Sequence, residues 1–220
     1  MARMWVLSNN EQDAFDKPPL FDHKERKQFL TLPKALMGIA KDMRTPNNRV
    51  GFLLMCGYFK ATKRFYLPQD FHARDVTAAA HSLSLSEDVF DPTQYTETTR
   101  LRHQRQILDF YGFSPFDDKA SDGLMTEIAA MARMHLKPRF IFDRCADFLT
   151  QRRVQVPSSY RLSDLIRVGL QDRKTTLVSL MDRHLSDDVR SLLDDLFTAP
   201  DDQNRYRLTL LKKLSQSTKP

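Results

Sequence analysis

Apolar residues recur at helical spacing along most of the chain, and strand-like alternation is almost absent. The longest alternating stretch runs only from Arg64 to Leu67. The pattern therefore predicts an all-α protein, built from helical bundle modules with helix-turn-helix-like elements and no significant sheet. The predicted helices cover residues 22–30, 33–43, 45–61, 73–83, 96–111, 122–136, 138–152, 160–170, 175–185, 186–197 and 203–214. Before them we expect only a short turn at Ser8–Glu11, which has capping-box spacing.

The predicted helix over residues 45–61 should lie at the centre of the core. Thr45 and Pro46 supply a hydroxyl N-cap followed by proline at the first helical position. The residues that follow are apolar nearly all round, which is typical of a buried helix. Gly51 and Gly57 each cost about 1 kcal/mol relative to Ala in a helix, so we expect a neighbour to pack closely against them.

One stripe of this helix is basic rather than apolar. At about 100° per residue, four side chains fall within roughly 60° of one another. They are Arg49, Cys56, Lys60 and Lys63. A single basic edge suits a helix that faces DNA, and it equally suits an ordinary solvated edge. The stripe alone does not separate these two interpretations.

The helix predicted over residues 96–111 has two unlike faces and ends at Gly112 as a C-cap. The apolar face is expected to carry Leu101, Gln104, Ile107, Leu108 and Tyr111. The opposite face carries Arg102, Arg105, Gln106 and Asp109. In the turn that follows, Phe113 and Phe116 are expected to insert into a core.

Composition excludes several classes of protein. With 220 residues, 41% hydrophobic and 28% charged, the chain is not disordered, collagen-like or of low complexity. Its two cysteines give no disulfide framework and no zinc spacing, which suits a reducing compartment. No apolar run is long enough to span a bilayer, and the N-terminus lacks a signal-peptide core. We therefore expect a soluble intracellular protein with no membrane partner.

Positive charge is concentrated in the first half of the chain. The net charge is +6 and the isoelectric point is near 9.4. Residues 43–67 contain five bases and no acid, and residues 98–108 contain three arginines, His103 and no acid. Such clusters are expected where a phosphate backbone docks, and a solvated face is the alternative.

Signatures of catalysis are missing from the sequence. The six glycines form neither a phosphate-binding loop nor a G-x-S-x-G elbow. The histidines never pair at metal-ligand spacing, and Asp182 and His184 would point apart on a helix. We therefore expect no enzyme activity, metal or cofactor in this segment.

Several short motifs of the sequence resemble those of a single protein family. The most specific is Arg44-Thr45-Pro46-Asn47-Asn48-Arg49-Val50-Gly51-Phe52-Leu53-Leu54, continued by Gly57-Tyr58-Phe59-Lys60-Ala61 and Arg64-Phe65. Weaker ones are Leu7-Ser8 with Glu11, Phe15-Asp16 with Pro18-Pro19, Glu25-Arg26, Tyr95 with Thr98-Thr99-Arg100, Arg102-His103, and Val156-Pro157-Ser158 followed by Tyr160. Over about residues 5–170 the chain resembles the N-terminal region of transposases of the Tn-three family, the replicative DDE transposons of bacteria.

The resemblance implies a non-catalytic helical region that binds the terminal inverted repeats of a transposon. In that family the catalytic carboxylates belong to an RNase H-like domain far downstream. We therefore expect this chain to be a fragment or truncated product, with any divalent metal such as Mg²⁺ in the missing domain. The implied partner is double-stranded DNA at transposon ends, at the nucleoid of the bacterial cytoplasm, and a homodimer of the full-length protein is compatible with it.

Two polar, proline-containing stretches set the expected module boundaries, residues 84–94 and the predicted linker over residues 154–159. We expect a first helical DNA-binding module over residues 1–92, a second over 93–156 and a helical connector over 157–220.

The predicted DNA contacts are residues at helix starts and on basic edges. Arg, Asn and Gln can read base edges, whereas Lys mostly neutralises phosphate. The first module would contribute Arg44, Asn47, Asn48, Arg49, Lys60, Lys63 and Arg64. The second would contribute Arg100, Arg102, Arg105 and Gln106. Two alternatives stay open, because the asparagines also suit a plain first helical turn and Arg100 also suits an ion pair with a nearby acid.

Two other functions fit the same composition. A helical interaction or dimerisation scaffold without DNA contact would neutralise its bases with its own acids and expose one aromatic patch. That patch would consist of Phe113, Phe116, Phe140 and Phe142. A stand-alone transcription regulator would share the DNA chemistry but would bind a palindromic site as a symmetric dimer.

Overall fold

The structure is a computed structural model that describes residues 5–197. Within that range it contains ten α-helices and no strand. They are α1 (Asn9–Asp16), α2 (His23–Leu30), α3 (Lys34–Lys41), α4 (Pro46–Thr62), α5 (Ala73–Ser82), α6 (Glu97–Tyr111), α7 (Asp118–Arg133), α8 (Pro138–Gln151), α9 (Ser159–His184) and α10 (Asp187–Phe197). Single 3₁₀ turns lie at Pro68–Asp70, Glu87–Val89 and Pro92–Gln94. The all-α prediction is confirmed.

Three helices differ from their predicted bounds by more than two residues. α1 is a full helix rather than a short turn, because Ser8 and Glu11 form a complete capping box. α7 begins earlier than predicted, since the Asp117 carboxylate caps it by accepting from the Ala120 amide at 2.8 Å. The helices predicted over 160–170 and 175–185 are one helix, α9, whose intervening residues include no proline or glycine. The helix predicted over 203–214 lies outside the described residues.

The chain divides into two compact units, Met1–Gln171 and Asp172–Pro220. In the described part of the second unit, Arg190 donates to the carboxylate of Asp182 at 3.2 Å. No helix within residues 5–197 has the length and apolar character needed to cross a membrane.

α4 is the centre of the first of two hydrophobic cores in the first unit. Residues 50–59 of this helix are all buried, and α2, α3, α5 and α6 pack around it. A Cβ atom at Gly51 would lie 2.4 Å from Cε2 of Tyr95, and one at Gly57 would lie 2.4 Å from Cδ2 of Leu30. The expected close packing against both glycines is confirmed.

An ion pair between a buried carboxylate and a partly buried arginine connects three helices of this core. The Asp75 carboxylate on α5 is 1% exposed and accepts from Arg26 Nε of α2 at 2.8 Å. Its other oxygen accepts from the Tyr58 hydroxyl of α4 at 2.8 Å. Arg26 also donates to the Phe21 carbonyl at 2.6 Å. The network satisfies every polar group that it buries, which a buried charge requires.

The second core lies between α7, α8 and the first part of α9, with Val6 and Leu7 packed into it. Phe113 packs against the first core and Phe116 against the second, as predicted for the turn that carries them. α6, which the sequence assigns to the second module, instead contributes Ile107 and Leu108 to the first core.

The predicted linker over residues 154–159 is a packed segment. Val154 and Val156 are buried, and the Val156 amide donates to the Lys63 carbonyl at 3.1 Å. The Ser159 amide donates to the Asp16 carboxylate at 2.9 Å. These bonds fix the segment against both the end of α4 and the end of α1, so the connection is packed rather than free.

Candidate nucleic-acid interface

Four of the predicted DNA contacts line one pocket, which we call the α4–α6 pocket. The connection from α3 to α4 and the first turn of α4 contribute Arg44 and Asn48, and α6 contributes Arg102 and Gln106. The pocket has a volume of about 410 Å³. Its lining is completed by Ile39, Asp42, Met43 and His103. The structure thus joins residues that the sequence placed in two separate modules.

The N-terminus of α4 presents positive potential to this pocket. The Thr45 hydroxyl accepts from the Asn48 amide at 3.2 Å, and Pro46 occupies the first helical position. The first turn contains no acid that would offset the helix dipole. The exposed Arg44 side chain has no hydrogen bond or ion pair with any residue that the structure describes. The predicted cap is confirmed, and Arg44 lies beside a helix end whose first turn contains no acid.

The polar face of α6 is largely as predicted. Arg102, Arg105 and Gln106 are exposed, as is Asp109 one turn further on. Neither arginine forms an ion pair with an acid within residues 5–197. The apolar face differs at one position, because Leu101 is 50% exposed.

His103 takes the inward position on α6 and does not belong to the basic surface. It is fully buried, edge-on to Phe52, and its Nδ1 is hydrogen-bonded to the Tyr95 hydroxyl. Burial, and then the nearby charge of Arg102, lower the pKa of His103 to about 4. The ring is therefore neutral at pH 7, and the count of basic groups around residues 98–108 must omit it. Its Nε2 is buried without a hydrogen-bond partner among the described residues.

Three predicted contacts are engaged by the protein itself. Asn47 is 8% exposed, and its side-chain oxygen accepts from the Asp91 amide at 2.9 Å. Arg49 donates from Nε to the Met43 carbonyl at 2.9 Å, which ties the α3–α4 connection to α4. Arg100 pairs with Glu97 at 3.4 Å, which is one of the alternatives that its sequence left open.

The remaining predicted contacts lie at the other end of α4. A 17-residue helix is about 25 Å long, so this group is well separated from the α4–α6 pocket. Lys60 Nζ donates to the Gln28 carbonyl at 2.6 Å, and Lys63 Nζ donates to the Lys60 carbonyl. The Arg64 guanidinium lies 3.7 Å from the ring centroid of Phe15 and donates to the carbonyl of that residue. Burial lowers the pKa of both Lys63 and Arg64.

The basic stripe described on α4 is interrupted in the structure. Cys56, in the middle of the stripe, is fully buried, and the flanking bases separate into two groups at the helix ends. A 100° projection places side chains around the helix but does not show where neighbouring helices cover it. Here α2, α3, α5 and α6 cover its middle.

Sequence reasoning missed two residues of the site. Asp42 lines the pocket, although it stands just before the acid-free window that begins at residue 43. The Tyr95 ring packs against Gly51, and its hydroxyl is hydrogen-bonded to His103 Nδ1. No local sequence pattern predicts these contacts. Extending the charge count by one residue would have included Asp42. The position of Tyr95 depends on tertiary packing, which the sequence does not display.

The aromatic patch expected of a scaffold protein does not form. Phe142 is 1% exposed, Phe113 and Phe116 are half-buried against different cores, and only Phe140 is strongly exposed, at 50%. The unpaired arginines of the α4–α6 region also differ from what a scaffold with internally neutralised bases would show.

Comparison with protein families gives one match. A family model described as "Domain of unknown function (DUF4158)" matches residues 6–168, a range that includes the whole α4–α6 pocket and both cores. No curated protein matches the chain.

Proposed function

This chain belongs to the DUF4158 family, and we propose that it binds double-stranded DNA at the terminal inverted repeats of a transposon. In this proposal it is the non-catalytic N-terminal region of a Tn-three family transposase, and it binds without a metal or cofactor. The DUF4158 family is known to occur in such transposases. The residues that carry the resemblance most specifically, 44–65, lie inside the matched range.

The observation that carries the proposal is a group of three exposed arginines with no acidic partner in residues 5–197. Arg44 precedes α4, and Arg102 and Arg105 lie one turn apart on α6. Guanidinium groups without internal partners are available to neutralise phosphates, which supplies most of the affinity of proteins for DNA. The positive end of α4 adds to the same field.

Two amides beside these arginines suit base recognition. Asn48 and Gln106 line the α4–α6 pocket from opposite elements. Amide side chains can donate to and accept from a base edge at the same time, most often adenine. A helix with an exposed polar face, such as α6, is the element that most DNA-binding modules place in the major groove.

The bases at the far end of α4 have a smaller part in this proposal than the sequence suggested. Lys60, Lys63 and Arg64 already donate to backbone carbonyls. Binding DNA would have to break or share those bonds. We therefore assign the interface to the α4 N-terminus and α6.

The experiment compares two triple variants of the full chain. One replaces Arg44, Arg102 and Arg105 by glutamine. The control replaces Arg133, Arg139 and Arg144, which lie on α7 and α8 and do not line the pocket. Both variants lose the same net charge. Affinity is measured against salt on a terminal-repeat duplex and on a scrambled duplex.

We expect the wild type to prefer the terminal repeat and to lose affinity steeply with salt. Each neutralised phosphate contributes about −0.9 to the log–log slope, so the interface variant should be shallower by about 2.7 while the control keeps the wild-type slope. Equal losses in both variants would refute the assigned interface. Affinity that does not depend on salt would refute DNA binding through this surface altogether.

A further inference from the structure

The α4–α6 pocket contains a feature that a general basic surface does not need. His103 lines it, is fully buried and leaves Nε2 without a hydrogen-bond partner among the described residues. Buried polar atoms are nearly always paired, so an orphan in the wall of a pocket indicates a missing partner.

The hydrogen bond of Tyr95 decides what kind of partner is missing. Its hydroxyl has one proton and two neighbours that can accept it, His103 Nδ1 and, at 3.2 Å, Met55 Sδ. An imidazole nitrogen is a far better acceptor than a thioether, so we assign the proton to the bond with Nδ1. A neutral histidine that accepts at Nδ1 carries its own proton on Nε2. His103, one of the residues that line the pocket, therefore holds at Nε2 a buried N–H donor that lacks an acceptor among the described residues.

The other polar groups of the pocket are mostly donors too. Arg44 and Arg102 are cationic, and Asn48 and Gln106 each offer an amide NH₂. The one negative charge in the lining is the carboxylate of Asp42, and the side-chain oxygens of Asn48 and Gln106 are neutral acceptors. With two guanidinium groups against one carboxylate, a ligand that suits this set has several acceptor oxygens and a negative charge.

We propose that the α4–α6 pocket binds a single phosphate group, with His103 Nε2–H as a neutral donor beside the two guanidinium groups. This inference rests on the proposed function, because the phosphate that we assign to the pocket is one backbone phosphate of the bound duplex. A volume of about 410 Å³ accommodates the phosphate with some of its water. Seating one phosphate here would fix the register of the duplex relative to α6.

The first test follows His103 directly by ¹⁵N NMR of the full chain. We expect the Nε2–H tautomer, and we expect its signal to move saturably when inorganic phosphate is added and again when the terminal-repeat duplex is added. The Nδ1–H tautomer would overturn the proposal, because the pocket would then lack this donor.

The second test uses two charge variants that are expected to change the affinity for phosphate in opposite directions. Arg102→Gln should weaken phosphate binding roughly tenfold. Asp42→Asn should strengthen it about threefold, the effect of removing one repulsive charge several ångströms away in a water-like dielectric. Arg144→Gln is the matched control, since Arg144 is an exposed arginine on α8 that does not line the pocket. A gain of affinity in Asp42→Asn cannot come from misfolding, and its absence would count against the proposal.

The measurements with the duplex distinguish an error in the phosphate-pocket proposal from an error in the proposed DNA binding. If the duplex binds with the expected salt dependence while the His103 signal stays unmoved, DNA binding stands and the phosphate pocket is refuted. If inorganic phosphate moves the signal but no duplex binds, the backbone phosphate is refuted as the ligand together with the proposed function.

Discussion

Replacing Gly51 by alanine tests the packing that holds α6 against α4. Gly51 lies in the buried middle of α4, where an added Cβ would approach three atoms of the Tyr95 ring at 2.4, 2.8 and 2.9 Å. The ring has little room to move, because Tyr95 is 4% exposed and its hydroxyl is bonded to His103. The substitution therefore acts on the support of the α4–α6 pocket as well as on stability.

Two opposing effects determine how much Gly51→Ala changes the free energy of unfolding. Alanine favours a helix over glycine by about 1 kcal/mol. Overpacking a close-packed core costs about 1–3 kcal/mol. Contacts below 3 Å to a ring fixed at both ends place Gly51→Ala in the upper part of that range, so we expect a net destabilisation of about 1–2 kcal/mol. For a chain of this size that lowers the melting temperature by roughly 2–8 °C.

The assay is thermal and urea unfolding, with Gly38→Ala as the matched control. Gly38 is also helical, on α3, but a Cβ there meets nothing within 4 Å, so this variant should be stabilised by about 0.5–1 kcal/mol. In a Tyr95→Ala background, Gly51→Ala should change sign and become stabilising, because the clashing ring is gone. If Gly51→Ala stabilises the wild-type chain as Gly38→Ala does, the described packing of Tyr95 is refuted.

Three further predictions concern charge and chemistry inside the cores. Asp75→Ala leaves the Arg26 guanidinium without its carboxylate partner and should lower the free energy of unfolding, measured in urea, by about 3 kcal/mol. A loss below about 1 kcal/mol would contradict the described ion pair. Because the pKa of His103 is about 4 when folded and its ordinary value is 6.5, the unfolded chain binds more protons between those values. Stability should therefore fall by on the order of 3 kcal/mol as the pH drops from 6.5 to 4, and His103→Gln should remove this contribution. Burial raises the pKa of Cys145 to about 12 and that of Cys56 well above its ordinary value, so a thiol reagent at pH 8 should label both only when the chain unfolds.

Local signals predicted most of the fold. The Thr45–Pro46 start of α4, the Gly112 end of α6 and the Ser8 capping box each act through contacts within a few residues, which a sequence displays directly. The same holds for the polar face of α6, since helical periodicity fixes which side chains lie together.

The candidate site depends on contacts that the sequence does not display. Lys60 and Arg64 reach backbone carbonyls of Gln28 and Phe15, far away along the chain, so their availability is decided by tertiary packing. Long basic side chains often bury their stems and bind carbonyls in this way. His103 is a further case, because counting it as basic ignores the burial that keeps it neutral.

Tertiary packing also explains why the basic segment before α4 and the basic face of α6 lie close together. α6 packs on α4 in the first core, so Arg102 meets the α3–α4 connection that carries Arg44. The proline-containing stretch between them, 84–94, suggested a module boundary. It instead carries Leu85, Val89 and Phe90, which pack against the same core as α4 and α6.

The most direct test of the account is the response of individual arginine side chains to DNA. Nε–H spectra of the full chain are recorded while the terminal-repeat duplex is added. We expect Arg44, Arg102 and Arg105 to shift together, while Arg64, which already donates to the Phe15 carbonyl, stays unchanged. A duplex that moves Arg64 and leaves Arg102 and Arg105 in place would contradict it.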